Sequence, residues 1–503
     1  MESKSSDVAV INESICLNQV IGEETNQISL DEETSLSNSL EKIIYVEIIV
    51  PQHKIEVNVL NDKVSIEGKL TRIVYGISLE GEFAEEVLPE QHFSHFIHLQ
   101  GIKPTDSALV DVNVGDYKGR LKGNDVLQEE VNLDIFVKVT AAKSVDVFKD
   151  IGEDINQTKE LTRLQNLVEQ KELEVPAEVD VGFEQKVLEI IETETKVIPQ
   201  SFKVADNKGE IEATILYRIA YKTEDDKISE VKGREEFNKK LDLSNVDSSM
   251  EMWADLKVTQ VENQLNDTKL QVTQTITINC NVKVFEISQM ELVTEAEGVD
   301  TYDDQHTIEN VVCQERESIK SQQSAEFSIS VDKIERITTN CKIKENKVLD
   351  DKVSLNLSVI HLVHYKDEDG KKHLLKVTGE EVNHFIYIAG VTEDMKALVK
   401  TDISDVKIEL TPDSMAATIS CHVNVLAKIL HNEQLALVTD VNVLKDKNHD
   451  ASVIIYSVQD GDTLFKIAKR FGVRQKRIIS TNKEYIKDPS HLEIGQKIII
   501  PCN

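Results

Sequence analysis

Residues 68–75 read GKLTRIVY, residues 214–221 read TILYRIAY and residues 358–365 read SVIHLVHY. Each closes an alternating apolar and polar run on a tyrosine: Tyr75, Tyr221 and Tyr365, spaced 146 and 144 residues apart. Alternation with a period of two marks a strand with one face buried. Recurrence near 145 residues is the length of a domain rather than of a solenoid repeat, so these strands predict three copies of one β-rich unit.

The copies agree outward from the tyrosines. Upstream, each unit opens on a lysine and an aliphatic pair: Lys42-Ile43 to Val46, Lys186-Val187 to Ile190 and Lys333-Ile334 to Ile337. Downstream come FSHFIHLQGI, FNKKLDLSNV and VNHFIYIAGV. Their apolar positions align as Ile97, Leu99 and Ile102, then Leu241, Leu243 and Val246, then Ile386, Ile388 and Val391. Each unit then ends on a long alternating strand, over 131–139, 270–285 and 415–429. The expected domains are 1–150 with its first residues flexible, 160–293, 300–447 and a small module at 452–503. KDIGEDINQTKE and TEAEGVDTYDDQHTIEN, polar and acidic, read as linkers or solvated ends.

Apolar residues make up 40% of the 503 and charged residues 29%, a globular composition for most of the chain. The net charge of -33 repels nucleic acid and anionic membrane and favours basic or mixed protein partners. Six cysteines lie far apart without a C-x-x-C pair, which suits free thiols in a reducing compartment. No basic-then-apolar leader and no membrane-length apolar run is present in the sequence, so no membrane insertion is expected and the chain is expected to stay where it is made.

The last module begins YSVQDGDTLFKIAKRFGV, residues 456–473. Asp462 reads as a helix N-cap and Gly472 as its left-handed terminator. Leu464, Ile467, Ala468 and Phe471 form one apolar stripe, with Lys466, Lys469 and Arg470 opposite. A second helix is expected from 475 to about 482, with Ile478 and Ile479 inward, and strands on either side complete a β-α-α-β order. The module resembles a LysM domain over 454–501, through Tyr456, Val458, Gly461, Asp462, Thr463 and Leu464 at one end and Gly495, Gln496, Ile498, Ile500 and Pro501 at the other. Phe465 stands where that family commonly has Trp. RQKR stands where its second helix usually opens with a Ser or Thr cap and acids, so something other than helix stability favours Arg474, Lys476 and Arg477.

Residues 452–503 hold nine Lys and Arg against five Asp and Glu, a net of +4, which leaves -37 for residues 1–451. A positive module on a negative body points to docking on an acidic protein surface, with a merely solvated face as the plainer alternative. The candidate contact residues are Asp460, Thr463, Leu464, Phe465, Lys466, Lys469, Arg470, Arg474, Lys476, Arg477, Lys483 and Ile486.

The three larger units are similar to SPOCS domains of endospore-forming bacteria, through the Lys-Ile start, the strand ending in Tyr, the Phe-x-x-Phe-Ile strand and the terminal VKV strand. SPOCS units followed by one LysM domain resemble the SipL-like spore coat morphogenetic family. That resemblance implies a mainly β multidomain fold and a non-enzymatic adaptor whose LysM domain binds the morphogenetic ATPase of the spore coat and promotes encasement of the forespore. It also implies a place in the mother-cell cytoplasm, at the forespore surface and in the coat, with other coat proteins or self-association as further partners. Binding of peptidoglycan, an N-acetylated glycan, in a groove between 460–465 and 482–492 remains the alternative; neither reading calls for a cofactor.

The search for chemistry yields little. GDYKGRLKG lacks the Gly-Lys-Ser/Thr ending of a phosphate loop, and neither H-E-x-x-H nor G-x-S-x-G occurs. His92, His95 and His98 alternate faces on a strand, which is awkward for a metal. Glu85-Glu86 and Glu129-Glu130 read as solvating pairs, and Trp253 reads as core.

Overall fold

The computed structural model describes residues 11–152, 155–225, 227–296, 299–379, 381–443, 453–473, 475–486, 488–489 and 491–501. The expected flexible start lies outside them. The first unit runs β1 (Ile11–Ser35), β2 (Leu40–Ile49), β3 (Glu56–Leu60), β4 (Lys63–Ser78), β5 (Phe83–Val87), β6 (Gln91–His98), β7 (Ser107–Lys122) and β8 (Val126–Asp150). The second runs β9 (Gln157–Gly182), β10 (Val187–Ala205), β11 (Lys208–Thr223), β12 (Ile228–Asp242), β13 (Glu251–Leu265) and β14 (Gln271–Ala296). The third runs β15 (Val299–Glu326), β16 (Lys333–Leu349), β17 (Lys352–Lys366), β18 (Lys372–Thr378), β19 (Val382–Tyr387), β20 (Lys396–Leu410) and β21 (Ala416–Val443).

One wiring serves all three. The first strand pairs antiparallel with the last, and the last also pairs with the one before it: β1-β8-β7, β9-β14-β13 and β15-β21-β20. The strands between form a second sheet around β4, β11 or β17. In the second unit the central strand takes one long partner, β12; in the others that partner is split into β5 and β6 or β18 and β19. The alternation of each long strand buries one row of side chains between the two sheets, such as Val131, Leu133, Ile135, Val137 and Val139 of β8.

The aligned apolar positions are all buried, as are Tyr75, Tyr221 and Tyr365. One turn recurs with its bonds. Asp62, Asn207 and Asp351 each adopt positive φ, and each backbone N–H donates to the carbonyl of Ile102, Val246 or Val391. Asp62 and Asp351 also accept from Gly101 N and Gly390 N, both at 2.7 Å. Asn and Asp tolerate the left-handed region because their short polar side chains bond locally.

Several expectations need correction. The opening strand of every unit escapes the sequence reading, because β1, β9 and β15 are long, acidic and only partly alternating. The segment TEAEGVDTYDDQHTIEN is no linker: most of it lies in β14 and β15, where β15 pairs with β21. Glu129 is buried against Arg72, itself fully buried, and Glu85 lies near Arg336, so these glutamates are structural rather than solvating. Trp253 is half-buried, off the row of Met252, Ala254 and Leu256 that enters the core, and packs edge-on to Phe202.

The three units pack around a common axis. Val147, Leu292 and Leu437, each 145 residues from the next, meet in one apolar cluster with Leu17, Leu164 and Ile308 from the paired first strands. A second apolar cluster joins them too, with Ile49, Ile73 and Tyr75 of the first unit against Ile228 of the second and Leu362 of the third. Polar bonds cross the seams beside it. Buried Glu47 of β2 accepts from Arg218 of β11 at 2.7 Å and from Asn340 of β16, so one carboxylate joins all three units. Lys54 of the first unit meets Glu192 of the second at 2.8 Å. Glu230 of β12 accepts from Thr338 of β16 and from Arg218, both at 2.8 Å. Buried ion pairs of this kind fix relative placement more than they add net stability.

Candidate functional site

The last module forms as its sequence indicates: β22 (Val453–Ser457), α1 (Leu464–Phe471), α2 (Gln475–Thr481) and β23 (Lys497–Pro501), with β22 antiparallel to β23. Leu464, Ile467 and Ala468 of α1 and Ile478 of α2 pack on Val458, Ile498 and Ile500, with Phe471 and Ile479 at the edge of that core. Gly472 ends α1 at φ 63°, in the left-handed region. The N-cap is Thr463 rather than Asp462: its side-chain oxygen accepts from Lys466 N at 3.2 Å. Asp462 instead accepts from the Tyr456 hydroxyl at 2.7 Å and from Gln459 N at 2.8 Å, and those two bonds hold its carboxyl below the usual range.

Two loops flank these helices. Residues 459–463 form one wall. The described residues 483–486, 488–489 and 491–494 form the other, which Gln496 ties down: its amide nitrogen donates to Tyr485 O and its amide oxygen accepts from Glu493 N, both at 3.0 Å. Val458 and the 495–496 turn exchange backbone bonds, which links the walls at their base. Buried Asn482 anchors the end of α2 to β23, donating to Ile478 O and Ile499 O and accepting from Ile499 N.

The predicted contact residues separate into distinct roles. Leu464 and Ile486 are buried in the core and present no surface, a correction to their place in the set. Thr463 is spent on the cap. Arg470 donates to the Tyr456 hydroxyl with its guanidinium 5.5 Å from that ring, so it is engaged within the module. Arg477 is half-buried and also engaged. Phe465 and Lys469 are half-buried, and Asp460 is exposed on the first wall. Arg474 falls outside the described residues.

Lys466, Lys476 and Lys483 remain, all exposed; among the described residues no carboxylate lies within ion-pair distance of them. The Lys466 ammonium reaches only Gly461 O, at 3.0 Å. Two further exposed residues lie on the second wall, outside the predicted set: Tyr485 is 61% exposed and Ile494 70%. Their signal was an aromatic and an aliphatic residue in a loop, outside any helical or strand period. Exposed apolar side chains and cations without an ion-pair partner among the described residues are the composition of a protein-docking surface.

The family described as SipL, SPOCS domain matches residues 39–122 and 186–266, within the first and second units. The LysM domain family matches residues 456–501. No curated protein and no solved structure matches the chain.

Proposed function

We propose that this chain, which carries SPOCS domains of the SipL family and a C-terminal LysM domain, is a non-enzymatic adaptor of the spore coat. The SipL family implies spore coat morphogenesis, association with coat morphogenetic proteins and a location in the coat. The third unit, with the strand wiring of the first two, is a further SPOCS domain in this reading, and the boundaries 1–150, 160–293, 300–447 and 452–503 delimit the four domains. The LysM domain docks the coat morphogenetic ATPase from the mother-cell side, and the three-unit body holds it at the forespore surface.

The observation that carries the reading is the exposed trio Lys466, Lys476 and Lys483, without a carboxylate at ion-pair distance among the described residues, in a module that also exposes Tyr485 and Ile494. Charge of this kind steers an acidic protein surface into contact, and the two apolar side chains slow its release.

The test titrates the full chain with the purified ATPase and, separately, with muropeptides. The adaptor reading expects salt-sensitive binding to the ATPase. It expects Lys476→Glu with Lys483→Glu to weaken that binding at least about tenfold, chiefly in the on-rate. Binding to muropeptides alone, or ATPase binding that ignores both substitutions, would overturn it.

A further inference from the structure

The three units line a half-open central cavity of about 2330 Å³, with strands from all of them in its walls. Thirteen Lys and Arg and twelve Asp and Glu line it. The body as a whole carries -37, so the lining is slightly positive within a strongly negative shell.

Lys138, Lys283 and Lys428 project into this cavity at one register position, 145 residues apart, opposite Leu109, Trp253 and Leu398 on the neighbouring strands. Their surroundings are not equivalent. Lys138 pairs with Glu309 of the third unit. Lys428 meets Asp255 of the second unit at 3.1 Å. Lys283 donates to Asn18 Oδ1 at 2.9 Å and Thr140 Oγ1 at 3.0 Å, both neutral. Only 8% of Lys283 is exposed, and among the described residues no carboxylate lies within ion-pair distance of its ammonium. A buried cation with neutral partners has lost its hydration without gaining a counter-charge. Burial pushes Lys283 down to about 8; Asp255 opposes that shift and Lys428 adds to it.

We propose that this cavity binds a small oxyanion, a phosphate or carboxylate compound, on the Lys283 ammonium with Lys138 and Lys428 flanking it. Glu309 and Asp255 already neutralise the flanking pair, so the anion completes the third position of the ring. Thr140 lies two residues from Lys138 on the same strand; its hydroxyl oxygen accepts from Lys283 and its own proton is left to donate to a second oxygen of the anion.

The experiment is calorimetric titration of the full chain at pH 8 with inorganic phosphate, pyrophosphate and citrate, against sodium chloride of matched ionic strength. Saturable one-site binding is expected from the phosphates, from citrate or from both, and the pattern distinguishes the two sources. Proton uptake should accompany it, seen by repeating the titration in buffers of different ionisation enthalpy, because burial lowers both Lys283 and Lys138 to about 8 and an anion beside them restores their protons. Lys283→Met should lower affinity about tenfold or more, whereas Lys63→Met on the outer surface leaves it unchanged. No saturable heat, an effect equal to that of chloride, binding without proton uptake, or wild-type affinity in a folded Lys283→Met chain would each overturn the proposal. Proton uptake in the unaltered chain decides the matter should the variant fail to fold.

Discussion

Asn482 shows how much one buried polar side chain can hold. Its amide donates at 2.7 and 2.6 Å and accepts at 2.7 Å, closing α2 onto β23. Asn482→Ala strands the Ile499 carbonyl and N–H in the interior, while Ile478 O keeps its bond from the backbone N–H of residue 482, at a cost of about 2–3 kcal/mol; hydrogen exchange over the described part of 453–501 should speed accordingly while the body stays protected. Titration acts at the same scale. Burial lowers His306, whose two ring nitrogens find no hydrogen-bond partner among the described residues, and lowers His361 to about 4. Burial and Arg336 lower His364 to about 2. These folded-state values lie below the unfolded value near 6.5, so the unfolded chain binds more protons and stability falls as pH drops below about 6.5. Burial would raise Glu230, but Lys232, Arg218 and Arg336 outweigh it and hold it at about 2, which extends the loss from about pH 4.5 downward. The melting temperature should therefore decline through this range; a flat profile from pH 7 to 4 would contradict the burial. None of these roles is legible in the sequence: Arg72 and His364 are buried by partners distant along the chain, and Asn482 by the return of β23 onto α2.

Elements were read best where their own residues decide them. The helix of the last module carries its stripe and its terminating Gly472 within eight or nine residues. The cap was misplaced by one position because Asp462 and Thr463 are both good N-caps, and the choice depends on Tyr456 drawing Asp462 away. Thr463→Ala should destabilise the module by about 1 kcal/mol, measured as a lower unfolding midpoint for the helical signal. The recurring turn is likewise local. Asp351→Ala loses the bond to Gly390 N and places a side chain without a local bond at φ 59°, a cost of about 1–2 kcal/mol in denaturant unfolding. The opening strands β1, β9 and β15 were missed for the opposite reason: they are held by the closing strand more than 100 residues later, and their own pattern is diluted by acids on the outer face.

At the scale of the molecule, the repeat was visible and the assembly was not. Tyrosine spacing and aligned aliphatics revealed three copies, yet nothing local shows that they close on one another. The signal that the copies share an axis lay in the same period, at Lys138, Lys283 and Lys428 and at Val147, Leu292 and Leu437. Leu292→Asp buries a charge where the three units converge, at a cost of several kcal/mol. Its expected result is an increased radius of gyration in small-angle scattering and proteolytic cutting between the units before cutting within them; unchanged scattering would show that the cluster does not hold the ring. A homotrimer of one unit would place the same side chain at all three positions, so any substitution would strike every position together. Joining the copies in one chain frees each position to drift alone, and the lysine ring records the outcome: one member met by a glutamate, one by an aspartate and one by an amide and a hydroxyl. The same freedom applies outside, where Phe96 and Phe385 occupy positions that Lys240 takes in the second unit. A tandem ring of this kind can address three different neighbours from three sides while keeping a single common interior.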